Sequence, residues 1–150
     1  PGGVFRCRMR GNCRLRRRFA RLIEEDCMTT DVELLVCTKC RHTDTAPDAD
    51  AVRPGAVLYD TLAAEGIDGV RITPVECLSN CANGCSVVLR GGPERWTYVY
   101  GRFDAVGGVD VIREGAEKYA ATQDGLIPWR ERPEHLRKNC IARVPPVKGP

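Results

Sequence analysis

Apolar residues fall along this chain in short runs separated by polar, turn-forming stretches, and the runs obey two different periods. Val32-Glu33-Leu34-Leu35-Val36-Cys37 is short, apolar and rich in branched side chains, the mark of a buried strand. Residues 41–53 are polar and rich in Asp, and read as a loop. Pro54-Gly55 then opens a helix to about Glu65, with Val57, Leu58, Thr61 and Leu62 as its buried stripe and Gly66 as its stop. Residues 70–77 alternate like a second strand, and Pro74 assigns that part to an edge or a bulge. Residues 86–90 and 96–100 flank Gly91-Gly92-Pro93-Glu94 and predict a hairpin. From Asp104 onward Val106, Val109, Ile112, Ala116 and Tyr119 recur at helical steps, although Gly107, Gly108 and Gly115 weaken the signal.

The resulting order is β-α-β-β-β-α, or β-α-β-β-α if one strand is dropped. Either is an α/β fold, a mixed sheet with helices packed against it. Residues 28–122 carry this domain. Residues 123–150 are Pro-broken and charged and are expected to form an irregular tail, anchored by Ile127 and Trp129. Residues 1–27 differ from everything after them. With no Met at position 1, and Met28-Thr29-Thr30-Asp31 directly before the first strand, Met28 is the expected natural start. Residues 1–27 are then a non-native or disordered extension, and Cys7, Cys13 and Cys27 are set aside as ligands.

Charge follows the same division. Eight arginines against Glu24, Glu25 and Asp26 give residues 1–27 a charge of +5, so the overall +3 leaves the remainder at −2. The main domain thus lacks a general attraction for polyanions, and no nucleic-acid partner is expected. No apolar run approaches the roughly 20 residues of a membrane helix, and the N-terminus has no secretory apolar segment. The expected compartment is the reducing cytoplasm, where close cysteines are more often metal ligands or redox thiols than disulfides.

Five cysteines then stand out. Cys37-Thr38-Lys39-Cys40 ends the first strand, and Cys77, Cys81 and Cys85 recur every fourth residue after the second. Asn80, Asn83 and Gly84 favour a loop there, because they tolerate left-handed backbone. Two strand-end loops offering thiolates to one point suit a [2Fe–2S] cluster or a tetrahedral zinc ion. A thioredoxin-like dithiol at Cys37/Cys40 fits less well, since such a motif normally opens a helix. His42 is a candidate zinc ligand but reads better as an exposed loop residue, and His135 as a solvated tail residue. Trp96, Tyr98 and Tyr100 alternate on one strand face and suit packing better than electron relay. Lys39, Arg41 and Arg90 are candidates for a charged rim. No Ser/His/Asp set or phosphate-binding glycine loop occurs.

Cys37-x2-Cys40, followed by Pro74-Val75-Glu76-Cys77-Leu78-Ser79-Asn80-Cys81 and the apolar Val87-Val88-Leu89, resembles the thioredoxin-like [2Fe–2S] ferredoxins. It is similar to the small ferredoxin subunit of respiratory complex I. The closer similarity is to a family of small bacterial predicted metal-binding proteins, sometimes encoded among cobalamin-synthesis genes. The resemblance spans about residues 32–120, with the tail around Trp129 also similar to the closer family. It implies a thioredoxin-like four-stranded mixed sheet with two main helices. By position it also implies Cys37, Cys40, Cys77 and Cys81 as ligands of a [2Fe–2S] cluster, with Cys85 as a fifth metal-binding candidate. The implied role is that of an electron carrier rather than an enzyme, serving a protein redox partner in cobalamin or related metal metabolism, and a homodimer is compatible with it. The alternatives are a zinc-binding or metal-delivery module and, more weakly, a thiol oxidoreductase.

Overall fold

A computed structural model describes residues 31–41 and 52–148. The expectations for residues 1–27, Met28 and His42 lie outside the described residues.

Strand β1 (Glu33–Cys37) is buried along its whole length, as its apolar run predicts, and occupies the interior of a five-stranded sheet ordered β2-β1-β3-β4-β5. Helix α1 (Pro54–Glu65) connects it to β2 (Arg71–Val75), which pairs with β1 in parallel. Pro at the first turn of α1 gives up an N–H that has no intrahelical partner in any case. Gly66 closes the helix at φ 69°, its N–H bonded to the Leu62 carbonyl. Pro74 sits in β2 opposite Val36, and β2 is an edge strand, where the missing ladder donor is tolerated.

Strands β3 (Cys85–Arg90) and β4 (Thr97–Phe103) form the expected hairpin, with β3 antiparallel to both β1 and β4. Helix α2 spans Val109–Ala120. It begins later than the apolar spacing predicts, because Asp104 Oδ2 accepts from the Val106 and Gly107 N–H groups and holds a turn there. Val106 is consequently exposed.

One face of the sheet carries Leu34, Val36, Val87, Leu89, Tyr98 and Tyr100 against Leu58, Leu62, Ile112 and Tyr119 of the helices, all essentially excluded from solvent. Tyr98 and Tyr100 stack at 5.7 Å, and Tyr119 donates to the Trp96 carbonyl at 2.7 Å. These aromatics are packing residues.

Two expectations change. The sheet has five strands rather than four, and the C-terminal segment is partly regular rather than irregular. Helix α3 (Glu134–Lys138) buries Leu136, and β5 (Cys140–Val144) pairs antiparallel with β4. Every β5 residue is exposed, so no hydrophobic alternation marks it in the sequence. Ile127 anchors the segment as expected, while Trp129 is exposed, with Arg132 over its ring. His135 is half-buried rather than solvated. It stacks on Phe103 at 4.4 Å, and its Nε2 lies 3.0 Å from the Gly101 carbonyl, which makes Nε2 the protonated nitrogen. The order β2-β1-β3-β4, with one helix joining the parallel pair and another after the hairpin, is the thioredoxin-like arrangement, extended here by β5.

Glu33 is the buried charge of the sheet. Its cross-strand neighbours are Arg71 and Arg90, and its carboxylate accepts from Thr73 Oγ1 at 2.6 Å, Arg90 Nε at 2.7 Å and Arg71 Nε at 3.3 Å. The Thr73 hydrogen bond first, then the two arginines, hold its pKa below the ordinary value against the opposing effect of burial. A depressed carboxylate pKa adds stability above the unfolded-state pKa and loses it as pH falls through the folded value. Glu33→Gln is therefore expected to cost about 1–3 kcal/mol at pH 7. In urea denaturation the deficit relative to wild type should shrink below about pH 4.

Candidate metal centre

Parallel pairing of β1 and β2 brings their C-terminal ends to the same end of the sheet, and both cysteine loops begin there. Past the last paired residues, Cys37 and Val75, the contact continues as backbone hydrogen bonds. The Thr38 N–H donates to the Val75 carbonyl at 2.8 Å, and the Lys39 N–H to the Glu76 carbonyl at 3.1 Å. The Cys37 thiol also points to the Glu76 carbonyl, at 3.7 Å. The Cys37–Cys40 turn thus lies directly against the residues that lead into Cys77.

The third contribution comes from β3. Because Val36 pairs with Val87 in antiparallel register, Cys85 at the start of β3 falls at the same end. Cys37, Cys40 and Cys85 are all buried, the Cys40 thiol hydrogen-bonds to Cys37, and the Ser86 N–H donates toward the Cys40 sulfur. Burial pushes the Cys40 thiol up to about 12, helped by Cys37, and the Cys85 thiol up to about 11, helped by the charges of Asp104 and Cys37. These are protonated thiols at neutral pH.

Cys77 and Cys81 differ: both are exposed. Cys81 opens a single 3-10 turn, Cys81–Asn83, ended by Gly84 at φ 62°. Ser79, at φ 55°, takes up left-handed backbone, and its N–H donates to Cys77 Sγ at 3.2 Å. Asn83 Nδ2 donates to Asn80 Oδ1 at 2.6 Å and Asn80 Nδ2 to Ser86 Oγ at 2.8 Å, which ties this turn to β3.

The fold therefore brings all five predicted cysteines to one end of the sheet, but not to one point. Among the described residues no three Cys, His, Asp or Glu side chains are gathered closely enough to hold a metal ion. The donor chemistry nonetheless suits a soft metal or iron–sulfur group, because the described cysteines are all free thiols and two N–H groups already serve their sulfurs.

Two of the expected rim charges, Lys39 and Arg41, are exposed beside the Cys40 turn, whereas Arg90 lies at the opposite end of β3, engaged with Glu33. Cys140, unassigned by spacing, is exposed on β5, two strands from β3. Sequence reasoning missed Gly55. A Cβ there would stand 2.1 Å from the Cys37 carbonyl oxygen and 3.1 Å from Cys40 Cβ. The signal was present in the Pro54-Gly55 pair, which served only to mark a helix start.

Residues 34–146 match the family described as "Protein of unknown function (DUF1636)". The chain belongs to this family. No curated protein matches it. Among solved structures it is similar to a thioredoxin-like [2Fe-2S] ferredoxin from Aquifex aeolicus, at 20% identity and a TM-score of 0.47, over 78% of this chain and 96% of that one.

Gly55→Ala should push α1 away from the cysteine turn and cost about 1–3 kcal/mol, measured as a lower denaturation midpoint. In metal-free protein at pH 8, iodoacetamide should label Cys77 and Cys81 well before Cys40 and Cys85, as mass spectrometry of timed digests will show.

Proposed function

We propose that this protein is an iron–sulfur electron carrier whose [2Fe–2S] cluster is held by Cys37 and Cys40 from one loop and Cys77 and Cys81 from the other. The observation that carries the reading is the pair of backbone hydrogen bonds from Thr38 and Lys39 to Val75 and Glu76, which fixes the two cysteine loops side by side. Such a cluster supplies one-electron storage.

The chain's own residues have three tasks in this role. Cys77 and Cys81 would hold the group together with the buried pair, and binding would displace the thiol protons, since ligand deprotonation and local ordering accompany metal binding. The N–H groups of Ser79 and Ser86 donate to sulfur and favour the reduced, more negative state. Lys39 and Arg41 sit on the rim, where opposite charge on a protein redox partner would speed encounter. Cys85, completely buried at the start of β3, fills space behind the site as a small apolar side chain. The protein is read as an electron carrier rather than a catalyst, working in the cytoplasm. Service to cobalamin or related metal metabolism is the pathway that the sequence resemblance implies.

Anaerobically purified protein is expected to be red-brown, to contain iron matched by acid-labile sulfide, and to give an EPR signal on reduction. Serine in place of Cys37, Cys40, Cys77 or Cys81 should abolish the colour, while Cys85→Ser should keep it. Colourless protein with stoichiometric zinc would overturn the reading. Metal-free protein with a reversible Cys37–Cys40 disulfide would do so too.

A further inference from the structure

Where β4, β5 and the end of α3 meet the turn that carries Cys81, the fold leaves a recess of about 120 Å³. It is lined by Asn83, Arg102, Lys138, Asn139, Cys140 and Ile141. Two cations and two amides line it, and among the described residues no carboxylate does. The volume is below the roughly 300 Å³ at which drug-sized ligand pockets begin, so a nucleotide is too large and a single small anion is not.

Arg102 reaches this recess through a break in the strand. Tyr98 and Tyr100 face the core, and strict alternation would send residue 102 after them. Instead the pairing with β3 shifts between Cys85 and Val87, so that Gly101 and Arg102 add an extra residue to β4. Arg102 turns outward at φ 60°, and Phe103 takes the core position. A non-glycine residue in this region carries a strain of about 1 kcal/mol or more. The strain directs a guanidinium to a place where the core had no use for it.

The surroundings hold it there. Asn83 Oδ1 accepts from Arg102 Nε at 3.4 Å, and Asn83 is itself fixed through Asn80 to Ser86. Among the described residues no carboxylate pairs with Arg102. Lys138 pairs with Glu134 at 2.6 Å, but both side chains are largely exposed, and such a pair contributes too little to bar an incoming anion. On the other side, the Gly101 N–H is bonded to the Asn139 carbonyl, which fixes the backbone of that wall.

We propose that this recess binds a small oxyanion, of the phosphate or carboxylate class, between the Arg102 guanidinium and the Lys138 ammonium. The planar fork of Arg102 suits two oxygens of either group, and Lys138 adds a point charge. The site is separate from Cys37, Cys40, Cys77, Cys81 and Cys85, although Cys140 lines it, and it does not depend on a metal being bound at those five.

The test is calorimetric titration of the whole protein with inorganic phosphate and, separately, with acetate, at ionic strength held constant with sodium chloride. Saturable one-site binding of at least one anion is expected, and the anion that binds identifies the class. Arg102→Gly should weaken it at least about tenfold, and Lys138→Met should weaken it measurably. Glycine also relaxes the φ 60° backbone, so the anion-free Arg102→Gly protein should melt no lower than wild type and the loss will not be one of folding. Absence of saturable binding by either anion overturns the proposal, as does binding of equal strength in both variants.

Discussion

The candidate centre depends on one constraint: the parallel pairing of β1 with β2 does not stop at the end of the sheet. Thr38 and Lys39 keep donating to Val75 and Glu76 after the strands end. Two loops that would otherwise diverge are thereby held in register, and the end of a parallel pair is where α/β sheets leave room for ligands. Gly55 makes the same point from the helix side. Helix α1 begins so close to the Cys37 carbonyl that only a residue without a side chain fits. Strand, turn and helix start are fixed against each other, and the cysteines are carried along.

That arrangement divides the thiols by solvation. Cys37, Cys40 and Cys85 lie inside, where loss of hydration disfavours the thiolates of Cys40 and Cys85, and Cys77 and Cys81 lie outside. A bound metal or cluster would reverse that cost, because its positive charge would replace the lost hydration and displace the proton. Ser79 and Ser86 already donate toward sulfur on both sides of the division. The inner cysteines thus sit in the core, while the outer loop is held by the Asn80 and Asn83 hydrogen bonds and by Leu78 packing against the core.

Much of this was legible in the sequence, for physical reasons that can be named. The unbroken apolar run of β1 marks an interior strand, Pro74 marks the edge at β2, and Gly91-Gly92 marks the hairpin. Each is a local signal with a local cause. The paired cysteine spacing gave the two loops, since C-x2-C and C-x3-C place both thiols of a pair on one turn. What escaped was decided by tertiary contact. Strand β5 has no buried residue and so no pattern to read. His135 looked solvated because nothing nearby in sequence foretells its stacking on Phe103. The burial of Cys85 follows from its register against β1, which spacing from Cys81 does not contain. Helix α2 began late because a side-chain oxygen, Asp104 Oδ2, outcompeted the helical pattern for the Val106 and Gly107 N–H groups.

The bulge at Gly101-Arg102 shows how such a departure is paid for. Without the extra residue the alternation of β4 would bury an arginine beside Tyr98 and Tyr100, where an ionised group has no partner and a large desolvation cost. With it, the core gains Phe103 and the surface gains the guanidinium, at the cost of one left-handed residue. The same bulge lets Gly101 pass beneath Asn80, Asn83 and Ile141, where a Cβ would stand 2.6 Å from Ile141 Cδ1. The Cys81 turn can therefore lie flat on β4 and hydrogen-bond at once to Ser86 on one side and Arg102 on the other. A single strand irregularity thus serves three ends: it completes the core, seats the loop that carries Cys81, and aims a cation at the neighbouring recess.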